Sequence, residues 1–192
     1  MSPRSELVEL GLDWEWPAAE APRELPSLKP VEFLVDLGDL PREMELATLR
    51  AKADAHAAAG LAHSRADRFD EAKQEFEQAL EHDPNHATAL NNFAWMLLTH
   101  PDAARRDASW ALELARRSVE HAPNATEFWN TLGIAHYRTG QSQPAIDALQ
   151  KAEDLKPGVY FGDNAFFIAM SHWQLGNRDP ARDWFDRAVE WM

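Results

Sequence analysis

The chain has 192 residues, 45% of them hydrophobic, with 32 acidic side chains against 19 basic ones and a formal net charge of −13. That length suits one domain, and so acidic a balance repels phosphate backbones, so no nucleic-acid partner is expected. Cysteine is absent, which excludes a disulfide framework and thiolate chemistry, and no window spans a membrane, so a soluble, cytoplasmic protein is expected.

Residues 1–40 carry prolines at 17, 22, 26 and 30 and nine acidic residues against three basic ones. Proline at that density predicts an extended arm, not a long helix. Two accounts of the arm stay open. It is either a disordered acidic linker, or a segment whose Trp14, Trp16, Phe33 and Leu34 dock on a helical surface in the same or a neighbouring copy. Asp39 and Pro41 then read as a helix start. Leu46, Leu49, Ala53, His56 and Gly60 follow at spacings of three and four. The letters fit one helix from about Pro41 to Ala66, and equally a lead-in helix that breaks near Ala53.

Beyond that point one set of slots returns along the chain. It begins with Gly60, Ala72, Phe76, Ala79 and Pro84, and continues with Leu90, Phe93, Ala94, Leu97, Ala111, Ala115, Ser118 and Pro123. The third set is Trp129, Leu132, Gly133, His136, Gly140, Ala145, Leu149, Ala152 and Pro157. The fourth is Ile168, Ala169, His172, Gly176, Ala181, Phe185 and Ala188. The middle alanines, Ala72, Ala111, Ala145 and Ala181, give periods of 39, 34 and 36 residues. The long period has a local origin, because five residues are added between Leu97 and Ala111, in the loop Thr99 to Asp107. Glycine or alanine at 60, 94, 133 and 169, with the middle alanines, allows two helices to approach closely. Ser142 and Asp179, followed by Pro144 and Pro180, read as helix starts, and Gly140 and Gly176 as helix stops. Paired helices are therefore predicted at about 70–82, 86–98, 107–121, 126–139, 142–155, 163–175 and 179–192.

Over residues 53 to 192 this spacing resembles the tetratricopeptide repeat. The resemblance divides a domain of residues 41–192 into repeats at about 53–86, 87–125, 126–161 and 162–192, preceded by the arm of residues 1–40. It implies an all-α protein, a right-handed α-solenoid of about four helical hairpins, that binds a protein or peptide partner without catalysis. Blocks of this kind are common in bacterial multidomain proteins, so a bacterial adaptor or scaffold is implied. In the family, the first helix of each hairpin lines a concave groove that accepts a peptide. Carried onto this chain, the groove shows Ala57, Leu61 and Ser64, then Asn91, Asn92, Trp95 and Leu98. Asn130, Ile134 and Tyr137 follow, and then Phe166, Met170 and Trp173. Amides there would bond a peptide backbone and aromatic residues would grip side chains; equally, several of these residues are inter-repeat packing. Four hairpins about 10 Å apart display about 40 Å of groove, room for about twelve extended residues. The lining departs from the family's carboxylate clamps: Asn92 fits, but Ala57, Leu61, Glu127 and Thr131 stand where the other clamp groups would be.

Catalytic and metal-binding roles find no support. His63, His136 and His172 occupy equivalent slots in a row that does not converge, whereas zinc draws nitrogens to about 2.0–2.1 Å. They read as side chains packed between helices. No phosphate loop, nucleophile elbow or metalloprotease motif occurs, so neither a cofactor nor a metal is expected. Arg105, Arg106, Arg116 and Arg117 read as one solvated helix face. At the C-terminus, Phe185, Ala188 and Val189 are expected inward and Trp184, Trp191 and Met192 outward. Covering a large apolar side chain is worth about 1.5–3 kcal/mol, which invites the arm, a second copy in a homodimer, or a larger assembly.

Overall fold

The computed structural model describes residues 40–191, so the arm with Trp14, Trp16, Phe33 and Leu34, and the terminal Met192, lie outside the described residues. Eight helices follow in order: α1 Leu40–Arg65, α2 Phe69–His82, α3 Ala87–Thr99, α4 Ala108–His121, α5 Thr126–Arg138, α6 Ser142–Leu155, α7 Phe161–Gln174 and α8 Arg178–Trp191. No strand occurs among the described residues. The helices pair as α1–α2, α3–α4, α5–α6 and α7–α8, and each pair packs on the next. First helices of successive pairs also touch, α1 on α3, α3 on α5 and α5 on α7. Second helices make no comparable contacts with one another, which puts the first helices on the inner side of the curve.

The first helix runs unbroken for 26 residues. Its alanine-rich middle contains neither proline nor glycine before Gly60, and alanine has the highest helix propensity, so nothing there supplies a break. Its leading turns, residues 41–48, are exposed, and burial starts at Ala53. At the end of α1 the turn to α2 uses Asp67 at φ 56°, in the slot where later hairpins place Gly140 at 76° and Gly176 at 79°. Those conformations let the chain reverse after each first helix. Gly140 N–H donates to the Tyr137 carbonyl and Gln141 N–H to that of His136, satisfying two end-of-helix acceptors.

Two helix starts differ from expectation. Ser142 is the first residue of α6, not its cap, and its hydroxyl donates across the stack to Gln174 Oε1 at 2.6 Å. The last helix begins at Arg178, one residue before Asp179. The inserted loop lies where the period places it and contains a 3-10 turn, Ala103–Arg105. Asp102 accepts from Ala104 N–H, Asp107 accepts from Trp110 N–H, and the Asp107 N–H closes the loop base on the Leu97 carbonyl. Arg105 and Arg106 belong to this loop, so the four arginines do not form one helix face. Arg105 reaches Asp70 at 3.6 Å and covers the Phe69 ring, and Arg117 donates to the Pro84 carbonyl.

The core is one cluster along the interior, with Phe76, Phe93, Leu90, Leu97, Leu149 and Ile168 fully buried. Phe76 stacks on Phe93 at 5.5 Å, and Phe93 meets Trp110 edge-on at 4.7 Å, linking the first two hairpins. Close helix approach depends on missing side chains. A Cβ on Gly60 would stand 2.8 Å from Phe76, and one on Gly133 would overlap Leu149 and lie 3.2 Å from the Ala145 carbonyl oxygen. Gly133→Ala should therefore destabilise the chain by about 1–3 kcal/mol; a urea midpoint equal to that of the unaltered chain would show that α5 and α6 can separate without penalty.

Candidate functional site

The residues expected to line one groove fall into three groups. Asn91, Asn92 and Trp95 of α3 meet Asn130 of α5 in a cleft of about 250 Å³, completed by Glu127, Thr131 and Tyr160. Four expected groove residues are thus brought together by consecutive first helices. Trp95 is 41% exposed, whereas Asn91 is buried. Its Nδ2 donates to Asn92 Oδ1 at 3.4 Å, and its own Oδ1 has no hydrogen-bond partner among the described residues.

Asn130 is partly a structural residue. Its Nδ2 donates to Asn164 Oδ1 at 2.7 Å, and Asn164 Nδ2 donates to Glu153 Oε1 at 2.6 Å. The other oxygen of Glu153 accepts from the Gly158 N–H. This relay ties α5 to α6, α7 and the turn between them, and satisfies the amide of the fully buried Asn164. Sequence reading missed Asn164, because nothing in the letters marks an amide one turn from the expected groove positions as buried.

The second group has no free surface. Ala57, Leu98 and Ile134 are core residues, at 4%, 0% and 2% exposure, so they cannot line a groove. First helices of successive hairpins touch along that side and cover them. Tyr137 spans two hairpins: its hydroxyl donates to Met170 Sδ at 3.5 Å and its ring meets Phe167 edge-on.

Met170 and Trp173 belong to a third place, the end of the stack. With Ala169, Arg178, Ala181, Arg182 and Phe185 they surround a hollow of about 510 Å³ between α7 and α8. Arg178 lies 3.5 Å over the Trp173 ring, and Phe166 packs edge-on against Phe185. The expected orientations on α8 hold for the buried Ala188 and the exposed Trp191 but not for Phe185, Val189 and Trp184. Phe185 and Val189 are 51% and 47% exposed, while Trp184 is half-buried against the core and near Phe161. Trp191 lies across Gly162 and Phe161 although still half exposed. Phe185 occupies the slot of Leu149, 36 residues earlier. Leu149 is fully buried, with its side chain against Gly133 of its own hairpin, whereas Phe185 is left half exposed.

Tetratricopeptide repeat family models match residues 53–86, 98–160 and 163–191. No curated protein matches the sequence. Among solved structures, the chain is similar to a crystal structure of MamA protein, with TM-score 0.62 and 21% identity over 72% of this chain and 72% of that one. It is also similar to Pseudomonas aeruginosa pilF, with TM-score 0.60 and 21% identity over 81% of this chain and 72% of that one. A Thermobaculum terrenum O-GlcNAc transferase mutant matches at TM-score 0.55 and 18% identity, over 64% of this chain but 22% of that one. Likeness at these identities concerns the fold.

The histidines behave as packing residues. His136 Nδ1 meets Gln141 Oε1 at 3.1 Å, and His172 Nδ1 lies 3.5 Å from Asn177 Nδ2 in the next hairpin's equivalent turn. Buried Nδ1 of His63 has no hydrogen-bond partner among the described residues. No group of three His, Asp or Glu side chains among the described residues could hold a metal ion. Burial holds His136 below the usual imidazole range, with Arg116 acting the same way against the Gln141 bond and Asp147; burial also lowers His172. Below about pH 6.5 the unfolded chain therefore takes up protons that these folded rings refuse, and stability falls with pH through that window. His136→Gln with His172→Gln should give a shallower loss of urea stability than the unaltered chain between about pH 7 and about pH 5.5. An equal or steeper loss would contradict the assignment.

Proposed function

Because the chain belongs to the tetratricopeptide repeat family, we propose that it is a non-enzymatic scaffold that holds a protein or peptide segment along its inner face. Protein interaction is the general role of the fold; the use of this face is the finer reading. One observation carries it. Two successive first helices bring Asn91, Asn92, Trp95 and Asn130 to a single open cleft on the inner side of the stack. Amides present both donors and acceptors to a peptide backbone in any sequence context. Trp95 adds a partly exposed indole of the kind that anchors interfaces.

A second reading is favoured by the end of the stack. Ile134, Ile146 and Leu149 are buried in the third hairpin, whereas their counterparts Met170, Arg182 and Phe185 in the last one are exposed. That hollow has the form of a seat for a helix. A second copy would fill it with its own α8, whose Arg178 and Arg182 face Asp186 and Glu190 when two such helices run antiparallel.

The two readings separate by experiment. For a partner captured from the native cell, Trp95→Ala should weaken binding by about 1–2 kcal/mol, a five- to thirtyfold loss measured by calorimetry. Unchanged affinity would remove the inner face as the site. For self-association, sedimentation equilibrium of the full chain should reveal dimers that Phe185→Glu abolishes. A monomer at every concentration would remove that reading and leave the first intact.

A further inference from the structure

The cleft between α3 and α5 has a chemical bias that a general peptide groove does not require. Its seven lining residues include no lysine, arginine or histidine. Glu127 is exposed at its edge, and its carboxylate makes no ion pair or hydrogen bond among the described residues. Asn91 is 7% exposed, and its Oδ1 is a buried acceptor with no donor among the described residues. The register explains that vacancy. Asn91 and Asn130 stand in the same slot of successive hairpins, 39 residues apart. Asn130 finds Asn164 on the following first helix, but the residue that corresponds to Asn164 one hairpin earlier is Phe128, which offers no polar atom. Leaving a buried acceptor unpaired is unfavourable, and a ligand that brings a donor recovers part of that cost.

The remaining walls point the same way. Trp95 is 41% exposed and lines the cleft, and an indole ring attracts cations. Tyr160, whose proton is held more tightly by burial and by the charge of Glu127, keeps a neutral hydroxyl beside the carboxylate. A volume of about 250 Å³ accommodates the non-hydrogen atoms of one long side chain, counted at about 30 Å³ per water-sized group.

We infer that this cleft receives a lysine or arginine side chain of the bound segment, with Glu127 and Asn91 Oδ1 as acceptors and the Trp95 ring as a wall. The inference rests on the inner-face reading above and adds a sign to it. An acidic tail or a terminal carboxylate meets repulsion here, and the net charge of −13 favours encounter with basic segments.

The test is selection of peptides from a random display library on the immobilised full chain, followed by affinity measurement of the winners at low salt. Basic residues should be enriched, and Glu127→Gln should weaken the winners about three- to fivefold, as expected of one exposed ion pair. Replacing the peptide's arginine by citrulline should cause the same loss in the unaltered chain and none in Glu127→Gln. Because Glu127 is exposed, folding of that variant is not at stake. Winners that depend on Trp95 but not on Glu127 or on their own basic residue would overturn the cation assignment and leave the inner-face reading standing. Winners indifferent to Trp95→Ala as well, or the absence of any winner, would overturn both.

Discussion

Everything in this molecule depends on how closely two helices of one hairpin can approach. Gly60 against Phe76 and Gly133 against Leu149 leave no space for even a methyl group, and Ala94 and Ala169 hold the same position in the other pairs. Close approach seats the large residues of the second helix deep under the first, so Phe76 and Leu149 are fully buried. It also sets the tilt at which the next hairpin must land, since helix faces pack ridge into groove at restricted angles. The inner face and its cleft are products of that repeated tilt. No residue of the cleft itself contributes to the tight approach, which leaves those residues free to vary in chemistry.

Much of this architecture was legible because small residues at hairpin crossings leave a periodic trace. The added loop was located by arithmetic alone, and a 3-10 turn now occupies it. Helix starts were less legible, because a cap is chosen by competition among partners. Ser142 has the right hydroxyl for capping, but Gln174 on a distant helix offers an acceptor at 2.6 Å, and the cap position falls to Gln141. For α1 the letters left two accounts open; its continuity follows from a sequence that provides no residue able to stop it.

The site was legible in part. Membership of the first-helix layer follows from register, and Asn91, Asn92, Trp95 and Asn130 line one cleft in it. Depth within the layer does not follow from register, which is why Ile134 and Leu98 read as groove residues yet are core. On α8 register does not separate the faces: Trp184 is half-buried against the core, whereas Phe185, in the slot of the buried Leu149, is exposed. Identical slots also need not mean identical partners. Asn91 and Asn130 differ because Phe128 and Asn164 differ, a relation that only the stacked neighbours reveal.

The inserted loop has a bearing on how such an array can change. A hydrogen bond from the Asp107 amide to the Leu97 carbonyl joins its two ends, Asp102 caps the 3-10 turn inside it, and Asp107 caps the start of α4. Between those anchors the loop touches the stack through Arg105, which reaches Asp70 and Phe69, and length added away from that contact leaves the closure intact. Closure entropy grows only slowly with loop size, by about 0.6 kcal/mol per doubling, so this stretch can accept extra sequence, a tag or a tethered module while the surrounding hairpins keep their geometry.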